Sequence, residues 1–159
     1  MRGFPLIGLW LALAVTVAGC SPYRQQEPNF LRERVDIHER LSELMIRDGF
    51  AHEMRSTRNE VEHQDSFLVK LPLDSVKGRH PSLEKMLRDI GRICVNPGYS
   101  HLPIRIFVLS PDEDDRMFMF AMLATAVRNA SNIAITPLES PYSELRISVI
   151  HPGRGGNSK

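Results

Sequence analysis

The 159-residue chain lacks an excess of either charge, with 20 Lys and Arg against 19 Asp and Glu. A balanced chain offers no broad basic surface for nucleic acid or for anionic lipid. It also lacks a Gly-rich phosphate loop, a Gly-x-Ser-x-Gly elbow and a His-Glu-x-x-His helix. The usual sequence grounds for nucleotide, acyl-transfer and zinc-protease chemistry are therefore missing. The six histidines (His38, His52, His63, His80, His101 and His151) are scattered, with no acidic or cysteine partners at metal-ligand spacing. His52, Glu53 and His63 fall in a charged stretch and are read as a solvated face. The acidic run Asp112 to Asp115 lacks the glycine and the ligand spacing of a calcium loop. Neither a metal nor another cofactor is expected, and the chain is read as non-enzymatic. No internal repeat or low-complexity tract is visible.

One long apolar run is present, at the start. Met1-Arg2 supplies a positive charge, Phe4 to Val17 is almost wholly apolar, and small residues lead to Cys20. That order is the secretory pattern, and the run falls short of the roughly 20 apolar residues that span a bilayer. Val17-Ala18-Gly19-Cys20 resembles the lipobox of bacterial lipoproteins. The resemblance implies cleavage before Cys20, a diacylglycerol on its sulfur and acylation of the new amine. Several acyl chains give a lasting membrane attachment where one is marginal. Ser21 rather than Asp follows the cysteine, which by the enterobacterial sorting pattern implies the periplasmic face of the outer membrane. With Cys20 lipidated, Cys94 of the two cysteines is left alone and an internal disulfide is excluded. In the run Ile93-Cys94-Val95 it is read as a small core residue.

Residues 1–19 thus form a signal peptide and 20–29 a lipidated tether. A charged region, 30–64, follows. Its first half carries Leu31, Val35, Leu41, Leu44 and Met45 at spacings that suit an amphipathic helix ended by Gly49. Its second half, from Ala51 to Gln64, has few apolar residues and is either a solvated helix or a mobile linker. Residues 65–152 should form the compact domain, and 153–159 a disordered tail.

Within the domain, Phe67 to Leu71 reads as a strand. A helix begins at Pro81, runs through Leu83, Met86, Leu87, Ile90 and Ile93, and stops at Asn96-Pro97-Gly98. Ile104 to Leu109 is a second strand. Ser110-Pro111-Asp112-Glu113 is a helix start in which Ser110 caps and Glu113 completes a capping box. The helix body, Met117 to Val127, is apolar nearly all round and is expected to be deeply packed. Met117-Phe118-Met119-Phe120 is read as core, with some of these residues free to face a partner protein. Ile133 to Thr136 and Leu145 to Val149 are the last two strands, expected to form a hairpin. The expectation is an α+β two-layer sandwich in β-α-β-α-β-β order, preceded by an N-terminal amphipathic helix, with both domain helices on one side of the sheet.

That order on a lipobox-bearing chain resembles the OmpA-like peptidoglycan-binding domain over roughly residues 66–150. In that family an Asp after a strand and an Arg on the following helix grip the free acidic group of the cell-wall peptide. Here Asp112 matches the Asp, and Arg116 is the nearest counterpart of the Arg. The family's Asn, Leu-Ser and Arg-Ala signature is largely absent. The chain also resembles the small lipoproteins of type IVB secretion and conjugation machines (the DotK/IcmN type), which carry a degenerate OmpA-like domain. Two functions follow as expectations. One is a structural lipoprotein that docks with other envelope proteins in an envelope-spanning complex. The other is a wall-binding lipoprotein that ties the outer membrane to peptidoglycan through Asp112 and Arg116.

Overall fold

A computed structural model describes residues 23–58 and 63–150. Its elements are α1 (Tyr23–Asp48), β1 (His52–Arg58), β2 (His63–Lys70), α2 (Leu73–Lys77), α3 (Pro81–Cys94), a 3₁₀ turn (Pro97–Tyr99), β3 (Ile104–Ser110), α4 (Glu113–Val127), β4 (Ile133–Glu139) and β5 (Glu144–Val149). The strands form one mixed sheet in the order β1-β2-β5-β3-β4. The fold is α+β: apart from the short α2 and the 3₁₀ turn, the succession from β2 onward is the expected strand, helix, strand, helix, strand, strand, with α1 and β1 in front.

Side-chain alternation and register decide which face is covered. Phe67 lies opposite Ile147, which lies opposite Ile106 in turn; Val69, Leu145 and Val108 make the next row. These residues join Ile37, Leu41 and Met45 of α1, Leu83, Met86, Leu87 and Ile90 of α3, and Met119 and Leu123 of α4 in a single apolar core. The core therefore sits between the three long helices and one face of the sheet. Cys94 is fully buried in it.

α1 ends where the sequence says it must. Gly49 takes φ +78°, a conformation open to glycine, and the Phe50 N–H reaches back to the Met45 carbonyl at 2.9 Å, closing a Schellman cap. The buried line of the helix is Phe30, Ile37, Leu41, Leu44 and Met45. Leu31 and Val35, expected on that line, stay 45% and 48% exposed. The inward stripe runs from Phe30 to Ile37 instead, which leaves Leu31 and Val35 on its flank. The helix begins at Tyr23, inside the stretch expected to be tether.

Four other expectations are corrected. Residues 51–64 are not helix or linker where described: β1 pairs antiparallel with β2, from His52 opposite Val69 to Arg58 opposite His63. An edge strand needs few apolar residues, because its neighbour supplies the hydrogen bonds, so no alternation announced it. His52 is not on a solvated face either, since its ring stacks on Phe67 at 5.4 Å and its Nε2 bonds Ser42 Oγ at 2.8 Å. The last two strands do not form a hairpin. β5 lies between β2 and β3, while β4 runs parallel to β3 at the edge. β5 is buried on both faces, whereas β4 exposes alternate residues and contains Pro137, which suits an edge. α4 is buried along one line only, Asp115, Met119, Leu123 and Val127, and Met117 is 47% exposed.

α3 and α4 cross closely at Gly91, where an added Cβ would lie 2.4 Å from the Ala126 Cβ. Neither helix backbone can yield cheaply there. Gly91→Ala should therefore lower the urea midpoint. Overpacking costs about 1–3 kcal/mol and outweighs the propensity gain of roughly 1 kcal/mol that alanine brings to a helix.

Polar bonds hold α1 in place at both ends. Tyr99 donates a short hydrogen bond to Asp36, Arg40 pairs with Asp36 at 3.2 Å, and His101 Nε2 meets Glu33 Oε2 at 2.8 Å. At the other end Lys85 bridges Asp48 (3.3 Å) and Asp89 (2.9 Å), and Arg47 reaches Asp89 at 3.2 Å. The Tyr99 bond holds Asp36, and the Arg47 bond Asp48, below the usual carboxylate range. Burial pushes Asp89 up, but Lys85 and Arg92 outweigh it and the net shift is down. Carboxylates with lowered folded pKa values stabilise the protein above the ordinary value, about 3.9, and lose that contribution as pH falls through the lowered values. Melting temperature should thus fall steeply below about pH 4. Asp48→Asn should flatten the fall, as followed by circular dichroism.

Candidate functional site

The candidate site is the turn from β3 into α4, at the end of the sheet where β2, β3 and β4 finish. Ser110, the last residue of β3, is fully buried, and its Oγ accepts from the Asp112 N–H at 3.3 Å. Asp112, not Ser110, is the N-cap: its Oδ1 accepts from the Asp115 N–H at 3.0 Å. Pro111 thus precedes the cap, and Glu113 is the first helical residue. The strand continues one residue further than the sequence suggested, because Ser110 still pairs with Glu139 in β4.

Asp112 and Arg116 are one helical turn apart, and the Arg116 N–H donates to the Asp112 carbonyl at 3.1 Å. Their side chains are engaged separately. The Arg116 guanidinium donates from Nη1 to the Ser110 carbonyl at 2.8 Å and is half-buried, while the Asp112 carboxylate is exposed and holds the cap. The arrangement brings the two residues together without joining them as an ion pair. Ser140, whose N–H also reaches the Ser110 carbonyl at 3.3 Å, and Ser143, at 3.4 Å from Ser110 Oγ, close the opposite side. Tyr142 between them is 71% exposed.

Asp115 is the residue whose role the sequence reading missed. It is 8% exposed, and its Oδ2 has no hydrogen-bond partner among the described residues. Burial raises its pKa, and the charges of Asp112 and Asp114 push the same way against Lys77 and Arg79. Arg79, at φ +46°, also lies over the Phe118 ring at 5.1 Å. A signal for Asp115 was available: Met119, Leu123 and Val127 follow it at steps of four, so it heads the line that faces the core.

Other clusters offer less chemistry. A cleft of about 360 Å³ lies at the far end of α4, between the C-terminal ends of α3 and α4, and is lined by Cys94, Asn96, Arg128 and Asn132 among others. Burial pushes the Cys94 thiol up to about 12, which suits the core role expected of it and not nucleophilic work. A groove of about 400 Å³ between α1 and β1 contains the Ser42–His52 pair. There His52 Nδ1 faces the Phe50 carbonyl at 3.4 Å, with no acidic group bonded to it among the described residues. The pair ties α1 to β1 and lacks the orienting acid of a catalytic triad. No three His, Cys, Asp or Glu side chains among the described residues are placed to hold a metal ion.

Cys20 lies outside the described residues. No helix among them is long and apolar enough to cross a membrane. No protein-family model and no curated protein matches this chain.

A carboxylic acid with a raised folded pKa makes the protein less stable as pH rises from the unfolded value through the folded one. Asp115→Asn removes that loss. The variant should gain in melting temperature on the unsubstituted protein as pH rises from about 4 to 7, and an equal difference at both pH values would refute the burial effect.

Proposed function

We propose that this chain is an outer-membrane lipoprotein, anchored through Cys20, that acts as a structural subunit of an envelope-spanning secretion or conjugation complex. The observation that carries the choice is the use already made of Asp112 and Arg116. The cap bond engages one, and the Ser110 carbonyl engages the other. A pair that grips an anionic wall peptide needs its donors free to face the ligand. Here one N–H of the Arg116 guanidinium is committed to the Ser110 carbonyl at the end of β3, which orients the group toward the backbone rather than toward Asp112. The strand–helix succession from β2 to β5 supports the OmpA-like resemblance on which this reading draws, and an exposed helix residue such as Met117 supports contact with neighbouring proteins.

A wall-binding role is the second reading. It draws on the exposure of Asp112, whose Oδ2 lies outside the cap bond, at the open end of the sheet.

Co-sedimentation of residues 21–159 with purified peptidoglycan sacculi separates the two. Under the structural reading the protein stays in the supernatant, and Asp112→Ala costs only the cap, about 1 kcal/mol of stability. Pelleting that Asp112→Ala and Arg116→Ala each abolish would establish the wall-binding role instead. For the anchor, Cys20→Ser should abolish acyl labelling in cells and leave uncleaved precursor; normal processing of that variant would refute the lipobox.

A further inference from the structure

Among the described residues, β1 is an edge strand with β2 as its one strand neighbour. The hydrogen bond from the Lys70 N–H to the Ala51 carbonyl, 2.9 Å, fixes the parity of the β1–β2 ladder. In an antiparallel pair hydrogen-bonded partners recur at every second residue, so Ala51, Glu53 and Arg55 turn their backbone groups toward β2. His52, Met54 and Ser56 turn theirs outward, to the open edge. The opposite edge of the sheet is blunted, since Pro137 of β4 has no N–H to offer. No proline interrupts β1.

The side chains of β1 read as a self-complementary strip. Glu53 and Arg55 share the face away from the helices, opposite Leu68 and Ser66, and are paired at 2.6 Å. Met54, opposite Phe67, is on the helix side and is 49% exposed beside Val35, itself 48% exposed, at the rim of the α1–β1 groove. Two copies of β1 laid antiparallel about a two-fold axis must match outward-facing residues with outward-facing residues. That condition leaves few registers. Centring on Glu53 sets Glu against Glu, and centring on Arg55 sets Arg against Arg, both unfavourable. Centring on Met54 sets each Glu53 against the Arg55 of the other copy and brings the two Met54 side chains together over the grooves.

We propose that β1 is a homodimerisation edge, at which a second copy of this chain pairs antiparallel in the register centred on Met54 to give a continuous ten-stranded sheet. The interface is isologous, so one strip of charge and one apolar residue serve both sides. Residue 53 of one copy and residue 55 of the other form two symmetry-related ion pairs on one face, and the Met54 contact covers the other.

The test uses the full chain in detergent, by light scattering after size exclusion and by sedimentation velocity. The unsubstituted protein should be a dimer. Glu53→Arg and Arg55→Glu each create two like-charge contacts across the axis and should weaken dimerisation on the order of tenfold or more. An equimolar mixture of the two variants restores both ion pairs, one between the native Arg55 and Glu53 and one with its charges reversed, and should form a heterodimer, which also shows that each variant is folded. A monomeric unsubstituted protein, a dimer indifferent to either reversal, or folded variants that fail to associate when mixed would each overturn the proposal.

Discussion

β5 is the last regular element described and the middle strand of the sheet. On one side it pairs with β2, which carries β1; on the other it pairs with β3, which carries β4. Among the described residues, backbone bonds join the two halves of the sheet through β5 alone, so neither half has a complete core face until that strand is in place. Its residues reflect that position. Leu145, Ile147 and Val149 enter the core, while on the other face Ser148 is buried and bonds Ser66 across β2 at 2.9 Å. A strand recruited from the far end of the chain makes closure costly in chain entropy, and the matching rows of Phe67, Ile147 and Ile106 offset that cost with buried apolar area.

The same closure builds the β3–α4 corner. Once β5 is seated, Ser143 stands beside Ser110, and Ser140 shares the Ser110 carbonyl with Arg116. The corner is thus a hub of backbone satisfaction. Asp112 caps the helix and Arg116 braces the end of the strand, each through a bond to the backbone. Asp115 is left on the core line of α4 with one oxygen unpartnered. Nearby Lys77 and Arg79 temper the cost of that burial, which local charge repulsion from Asp112 and Asp114 increases.

Much of the fold was legible because local rules decide it. The α3 helix has Pro81 at its first position and a buried face of Leu83, Met86, Leu87 and Ile90, all readable from a period of 3.6. Gly49 predicted the end of α1 by the same kind of rule. Strand β1 was illegible because an edge strand carries no apolar alternation. The Asp112 cap was misassigned to Ser110, since both residue types cap well and only the extra β3–β4 pairing favours one. The pairing of β4 and β5 failed for another reason. Adjacent strands joined by a short turn usually pair, but β5 buries Leu145, Ile147 and Val149 on one face and Ser148, bonded to Ser66, on the other, and the centre of the sheet was the place that could cover both.

The sequence by itself determined the α+β class, the order of elements from β2 onward, the helix-facing residues of α3 and the end of α1, because each depends on neighbours a few positions away. Tertiary structure alone decided the strand order, the edge position of β1, the face of α1 and the engagement of Arg116 with Ser110. Those depend on contacts between residues far apart in the chain, such as Ser66 with Ser148 or Lys85 with Asp48. Their energies favour one arrangement only after distant segments have met, and no local pattern of residues encodes which distant segments those will be.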